Sequence, residues 1–504
     1  MWTNLLLNTA RLYIPNKIIL VRPKDSPWFT NSLRKMRRKL IRTYHKAKLS
    51  FSKFYWDKYK TLNKEYHQCL NKAEEDFKTR RNNSLQQSRN TKQWWKTVKQ
   101  ILGRGGDDSY PPIYDIRNDT YISDAKSKAE LFNEYFLSRN KINSSNIKLP
   151  DVNDTPANIL ESITVTENEV FDLIKCIDVN KSTGHDGVSG KLLKYAGVTI
   201  VPSLTILLNM SFRMSKVPEF WKKANVTPIH KKEDKDNILN YRPVSILSTL
   251  SKLMEKIVFK HVYNFFHTNN LLTSHQSGFR PCDSTVNQLA YLYHTFCEAL
   301  DKRKELRIVF CDVSKAFDKV WHDGLIYKLN KLGITGDLLK WFKDYLNSRQ
   351  QRVLIRGQSS QWGFIEAGVP QGSVLGPLLF LVYINDIVDV VSCGIKLFAD
   401  DTVLYVTVDD VEQATEELNQ NLQHLNEWAD QWLVNSNPHK TKAMNITNKR
   451  NSKLNDYPLQ FDKQPLEQLE NHKHLGVVIN NKLKWTKHID DILFCVSKML
   501  LMFL

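Results

Sequence analysis

Apolar residues in this chain fall into short blocks and longer helical stripes. Ile395–Val406, IKLFADDTVLYV, sets two apolar runs around the adjacent acids Asp400 and Asp401. That pattern predicts a β-hairpin with the acids at or near its turn. Ile308–Cys311 predicts a buried strand that ends at Asp312. Asn225–Ile246 predicts a strand, a basic turn and a second extended stretch, and Gln351–Ile355 and Gln361–Ala367 predict strands joined at Arg356–Ser360. Leu418, Leu422, Leu425, Trp428, Ala429 and Trp432 form the apolar stripe of an amphipathic helix over Val411–Trp432. Leu338–Leu346 and Ser373–Tyr383 read as further helices. Residues 113–138 read as a short strand pair and a helix, and Lys181–Gly190, KSTGHDGVSG, as a polar turn before a helix. Pro27–Leu102 is helical and basic, with Thr30 or Asn31 as its first cap and Trp94 and Trp95 as packing anchors. A linker at Gly103–Pro112 ends it.

Charge narrows the picture. Lys and Arg total 72 against 53 acids in 504 residues, a net charge of +19. That excess favours a polyanionic partner, nucleic acid or an anionic surface. Cysteines 69, 176, 282, 297, 311, 393 and 495 are scattered, odd in number and free of CxxC pairs. They argue against a disulfide framework or zinc site and fit a reducing compartment. No apolar run is long enough to span a membrane, and the N-terminus lacks a signal peptide's basic region and cleavage site.

The chemistry lies where the strands end. A carboxylate closing a buried strand needs water, a partner or a metal. Asp312, the acids of the hairpin and the Gly/Pro-dense loop Gly368–Pro377, GVPQGSVLGP, make a polymerase-like set. Carboxylates gathered at one point repel and shift one another's pKa, and a divalent cation relieves that repulsion. Two such ions, roughly 3.5–4 Å apart, activate a 3′-hydroxyl and stabilise a leaving pyrophosphate.

FADD at Phe398–Asp401, DVSKAF at Asp312–Phe317 and PQGSVLGP at Pro370–Pro377 resemble reverse transcriptases of non-LTR retrotransposons of the jockey and RTE kind. The resemblance runs in order over roughly residues 20–504. It implies an α+β, right-hand polymerase fold with fingers and an antiparallel palm sheet, preceded by a basic helical extension and ending in an incomplete thumb. The expected segments are a remnant of an upstream region (1–26), a basic RNA-binding extension (27–110), a connector (111–162), fingers (163–306), palm (307–480) and the start of the thumb (481–504). Truncation at both ends is expected. The thumb start, Leu493–Leu504, is expected to expose an apolar patch.

By the same resemblance Asp312 and Asp400 hold metal, with Asp401 a less certain third carboxylate because consecutive strand residues face opposite ways. The metal is Mg²⁺, two ions, with Mn²⁺ possible in its place. Lys231, or Lys232, and Arg242 neutralise the incoming triphosphate, or are surface charge on a hairpin. Gln371 and Gly372 line the nucleotide and template path. Phe317, five residues after Asp312, stands under the sugar and excludes a 2′-hydroxyl, or is plain core; Asp318 points elsewhere. Lys440 protonates the pyrophosphate, or is an ordinary exposed lysine. Arg280 contacts template or nucleotide, or only structures its loop. Arg37 and Arg38, among Arg34, Arg42 and Lys46, contact RNA, or form a solvated helix face. His185 is assigned no role. His474–Ile479 resembles a primer-grip hairpin. The expected activity is target-primed RNA-directed DNA polymerisation with an RNA template, a DNA primer or nicked target DNA and dNTPs, in nucleus and cytoplasm. The alternative is a catalytically inactive RNA-binding remnant.

Overall fold

The computed structural model describes residues 1–14, 26, 28–87, 110–144, 147–149, 157–231, 233–312, 316–434, 438–449 and 452–500. Trp94, Trp95, Lys232, most of the predicted linker and residues 501–504 of the C-terminal (thumb) stretch lie outside them. Two compact units are present, Arg11–Tyr110 and Met1–Ala10 with Pro111–Leu504.

The chain opens with helix α1 (Trp2–Tyr13). Trp2, Leu6 and Leu7 share a helical face and pack on the core of the larger unit, and Trp2 Nε1 donates to Ser203 Oγ at 3.0 Å. The sequence reading sets residues 1–26 apart as a remnant; in the structure this apolar face builds Met1–Ala10 into the larger unit.

The smaller unit is a helical hairpin of α2 (Asn31–Ser50) and α3 (Lys53–Gln87). Thr30 caps α2 by accepting from the Leu33 amide at 3.3 Å. Phe51 at φ 50° makes the reversal between the helices. Leu33 and Ala47 are buried, and Tyr44 meets Trp56 and Tyr59 with ring centroids 6.1 and 5.4 Å apart.

The larger unit begins with hairpin β1 (Ile113–Asp115) and β2 (Thr120–Ile122), then α4 (Ala125–Arg139). Asp124 caps α4, which buries Phe132 and Phe136. α5 (Glu167–Lys175) starts in a full capping box of Thr166 and Glu169. α6 (Gly190–Ala196) and α7 (Val201–Arg213) follow. Joined by a 3₁₀ turn, they give one helical stretch, Gly190–Arg213, long and apolar enough to cross a membrane, which the residue-by-residue reading did not find. Its Leu193, Leu204, Leu208 and Phe212 enter the protein core.

β3 (Lys223–His230) and β4 (Tyr241–Leu247) pair as an antiparallel hairpin. α8 (Thr249–Thr268), α9 (Thr285–Asp301), β5 (Glu305–Asp312), α10 (His322–Lys331) and α11 (Gly336–Leu346) come next. β6 (Gln350–Ile355) runs parallel to β3, and β7 (Gln358–Ser359) and β8 (Gly363–Phe364) both pair with β6. The strand predicted over Gln361–Ala367 shrinks to β8. At Gly363 the chain packs so tightly that an added Cβ would lie 2.1 Å from Leu137 Cδ1.

α12 (Leu375–Ile384), β9 (Gly394–Phe398), β10 (Asp401–Val408), α13 (Val411–Gln431) and β11 (Lys442–Ile446) complete the central layer. β12 (Glu467–Gln468), hairpin β13 (Asn471–His474) and β14 (Val477–Asn480), and α14 (Thr486–Leu500) close the chain. The main sheet has the order β12-β11-β5-β10-β9. Leu306, Ile308 and Phe310 of β5 face one core with Phe296 and Met444, whereas Val309 and Cys311 face the other with Leu418, Leu422 and Leu425. Both faces are covered, which is why β5 reads as an unbroken apolar run. The class is α+β.

Candidate active site

The buried run of β5 carries Asp312 to the open end of the main sheet. The β9–β10 hairpin brings the other two acids there. Phe398 pairs with Asp401 across the hairpin, leaving Ala399 and Asp400 as its turn. Ala399 has φ +54°, the left-handed conformation that two-residue hairpin turns require at their first position. On the other side of β10, Asp401 is the direct partner of Asp312. Cross-strand partners project from the same face. Register, which the sequence does not print, thus sets Asp401 beside Asp312, and Asp400 sits at the adjoining tip.

The electrostatics follow. Loss of hydration, then the neighbouring Asp400 and Asp312, push the Asp401 carboxyl up to about 6. Asp400 is also raised, by lost hydration and by Asp312, with Arg242 and Lys231 partly offsetting the effect. These two cations come from the β3–β4 hairpin. Lys231 is anchored by its amide to the Asn240 carbonyl at 2.8 Å. Its ammonium is lowered by desolvation and by Arg242, Arg139 and Lys440 around it. Arg242, Arg139 and Lys440 thus stand close enough to act on the Lys231 charge. Lys440 reaches to 3.9 Å from Asp312 Oδ2.

Gln276 opens the stretch Gln276–Leu289, QSGFRPCDSTVNQL, which resembles a further motif of the family and in which the sequence reading assigns a role to Arg280 alone; here Gln276 supports the acidic tip. Its buried amide oxygen accepts from the Ala399 amide at 2.9 Å and from the Gly278 amide at 2.7 Å. Gly278 lies so close that a Cβ there would stand 2.2 Å from Ala399 N. The QSGF segment is thus a backrest for the hairpin turn. Arg280 beside it donates to the Thr273 carbonyl at 2.8 Å, an interaction that structures its own loop.

Phe317 stacks on Phe380 at 4.8 Å and meets Phe279 edge-on at 5.7 Å, and as a residue it is half-buried. The Val369 amide donates to the Phe317 carbonyl at 2.8 Å, and a Cβ on Gly368 would lie 2.7 Å from that same oxygen. The Gly-rich loop therefore packs directly against the Phe317 turn. Gln371 donates from Nε2 to Asp318 Oδ1 at 2.7 Å, and the Gln371 carbonyl accepts from the Ser245 amide at 2.7 Å. Gly372 has φ +113°, and a Cβ there would meet Ser245 O at 2.6 Å, so this contact with β4 needs glycine. From behind, buried Glu255 accepts from the Val374 and Leu375 amides at the start of α12, at 2.6 and 3.3 Å. Desolvation raises its pKa, and buried Arg349 counters that.

The structure brings Asp312, Asp400, Asp401, Lys231, Arg242, Lys440, Phe317, Gln371 and Gly372 to one end of the two sheets. Arg37 and Arg38 belong to the other unit, where both are exposed on α2. Arg38 lines a groove with Lys35, Lys39, Arg42, Lys46 and Lys58. His185 packs between the rings of Phe220 and Trp362, at 4.6 and 5.6 Å.

Among the described residues no three His, Cys, Asp or Glu side chains stand at distances that would enclose a metal ion. Mg²⁺ does not require such a cage, because it binds through one or two carboxylates, waters and substrate phosphates. Hard oxygen donors crowded at one point fit a divalent cation of that kind, with Asp312 and Asp401 as adjacent ligands and Asp400 next to them.

Residues 229–479 match the family model described as reverse transcriptase (RNA-dependent DNA polymerase). The chain thus carries a reverse transcriptase domain. It is of the non-LTR retrotransposon kind: the chain is similar to "Probable RNA-directed DNA polymerase from transposon BS" of Drosophila melanogaster, 33% identical over 330 residues, 64% of this chain and 36% of the relative. It is likewise similar to the RNA-directed DNA polymerase from mobile element jockey of the same fly, 29% identical over 65% of this chain and 36% of the relative. A third, from transposon X-element, is 30% identical over 64% of this chain. The chain spans about a third of the length of these relatives.

Proposed function

We propose that the chain is an RNA-directed DNA polymerase that adds dNTPs to a primer 3′-hydroxyl on an RNA template. In this reading the main sheet is the palm, the β3–β4 sheet belongs to the fingers, and α14 begins the thumb. The observation that carries the reading is the pairing of Asp401 with Asp312 at an open sheet end, facing the cations of a second sheet, inside a reverse transcriptase domain.

The roles follow from placement. Asp312, Asp400 and Asp401 hold the cations; the chemistry supplied by two bound divalent ions, Mg²⁺ or Mn²⁺, is activation of the 3′-hydroxyl and stabilisation of the departing pyrophosphate. Lys231 and Arg242 neutralise the triphosphate, and Lys440 gives the pyrophosphate its proton. Phe317, partly exposed beside Asp312, lies under the sugar and excludes a 2′-hydroxyl. The basic groove of the α2–α3 hairpin holds RNA by its phosphates. Nicked DNA supplies the primer in the nucleus.

Primer extension tests the reading. Purified chain, an RNA template with an annealed DNA primer, dNTPs and Mg²⁺ give elongated DNA; Asp400→Asn gives none while binding the same RNA. Equal extension by both would contradict the assignment. RNA binding without extension by the parent would favour a non-catalytic RNA-binding remnant.

A further inference from the structure

We propose that Arg139, which lies outside the reverse transcriptase domain, is a positioning residue of the nucleotide pocket and sets Phe317 and Gln371 through Asp318. The proposal rests on the polymerase reading above.

Arg139 closes α4, in a segment expected only to connect two regions. Arg139 is 6% exposed and Asp318 is 3% exposed. Arg139 Nη2 and Asp318 Oδ2 pair at 2.5 Å. The other oxygen, Oδ1, accepts from Gln371 Nε2 at 2.7 Å. Arg139 Nη1 also donates to the Tyr241 carbonyl at 3.4 Å, on the strand that carries Arg242. The next residue, Asn140, donates from its side chain to the Asp318 carbonyl at 3.2 Å and to the Ala367 carbonyl at 2.9 Å. The end of α4 therefore grips the Phe317–Asp318 turn, the Gly-rich loop and β4 together.

Two consequences follow from the chemistry. An ionised carboxylate only accepts hydrogen bonds, so Asp318 obliges Gln371 to present its NH₂ group and fixes which way that amide lies. A buried charge cannot lose its partner cheaply, so Arg139 holds Asp318 in one position, and Asp318 holds the adjoining Phe317 carbonyl against Val369. The Phe317 ring and the Gln371 amide are thereby set by a residue that touches neither substrate nor cation.

The test is sugar selection in folded protein. Arg139→Met and Asp318→Asn are each expected to reduce the preference for dNTPs over ribonucleotides at least tenfold and to raise KM for dNTPs more than kcat falls. The double variant Arg139→Met/Asp318→Leu removes both buried charges. It is expected to regain thermal stability without regaining the preference. Equilibrium competition between a dNTP and its ribonucleotide on the protein bound to an RNA–DNA primer-template reads the same preference without turnover. Recovery of both stability and preference in the double variant, or an unchanged preference in folded Asp318→Asn, would overturn the proposal. A parent with no preference contradicts the polymerase reading itself; a parent preference shared by all variants contradicts only the role of Arg139.

Discussion

Asp401 is the residue whose position the structure most changes. A carboxyl raised to about 6 in the folded chain and near 3.9 in the unfolded one binds more protons folded than unfolded between those values. Its contribution to stability therefore falls as pH rises from about 4 to 6 and stays low above. Asp401→Asn is expected to stabilise the fold at pH 7 by no more than about 1 kcal/mol given solvent screening, read as a higher Tm than the parent's, with the difference vanishing below about pH 4. Thermal melts across that range check it; a lower Tm for the variant at pH 7 would contradict the electrostatic account. Phe317→Ala is expected to admit ribonucleotides in primer extension, and unchanged selectivity would remove the ring from sugar choice. Gln276→Leu leaves the buried Ala399 and Gly278 amides without acceptors, a loss of about 1–3 kcal/mol for each group left unsatisfied. It should lower Tm and slow extension while leaving RNA affinity unchanged.

The acids were legible in the sequence because each stands at the end of an apolar run. Gln276, Arg139 and Asp318 were not, because their partners are far away along the chain and leave no periodic trace. Asp318 could be read only as pointing away from the sugar, which agrees with its burial against Arg139.

At the scale of elements, sequence pattern located β5, the β9–β10 hairpin, the β3–β4 pair and α13 well, because each buries one or two faces at a regular period. It failed over Gln361–Ala367, where tight packing of Gly363 on Leu137 overrides alternation. It also could not show that α12 depends on a distant acid. Glu255 accepts hydrogen bonds from the first amides of that helix, which have no acceptor within it. Glu255→Leu leaves the Val374 and Leu375 amides without that acceptor and is expected to cost about 1–3 kcal/mol, read as a lower midpoint in urea. For the α2–α3 hairpin, RNA affinity should fall with salt, and Arg38→Gln/Arg42→Gln should flatten log K against log salt by about 1.4. An unchanged slope would take this groove out of RNA binding.

At the scale of the whole molecule, a chain of net charge +19 carries two differently organised basic surfaces. One is a helical hairpin with a cation-lined groove; the other is a cleft where cations from β3–β4 look toward acids from the main sheet. The first suits a phosphate backbone of any sequence. The second suits a triphosphate and a primer end, since it sets positive side chains opposite carboxylates that gain from a bound cation. Met1–Ala10 belongs to the larger unit, where Trp2, Leu6 and Leu7 pack on the core.

The measurement that bears most directly on this account is primer extension on an RNA template by the parent chain and Asp400→Asn, with RNA binding followed in parallel. The account predicts Mg²⁺-dependent, dNTP-dependent elongation by the parent, none by the variant, and equal RNA affinity for both. Elongation that survives Asp400→Asn, or a parent that binds primer-template but never extends it, would contradict it.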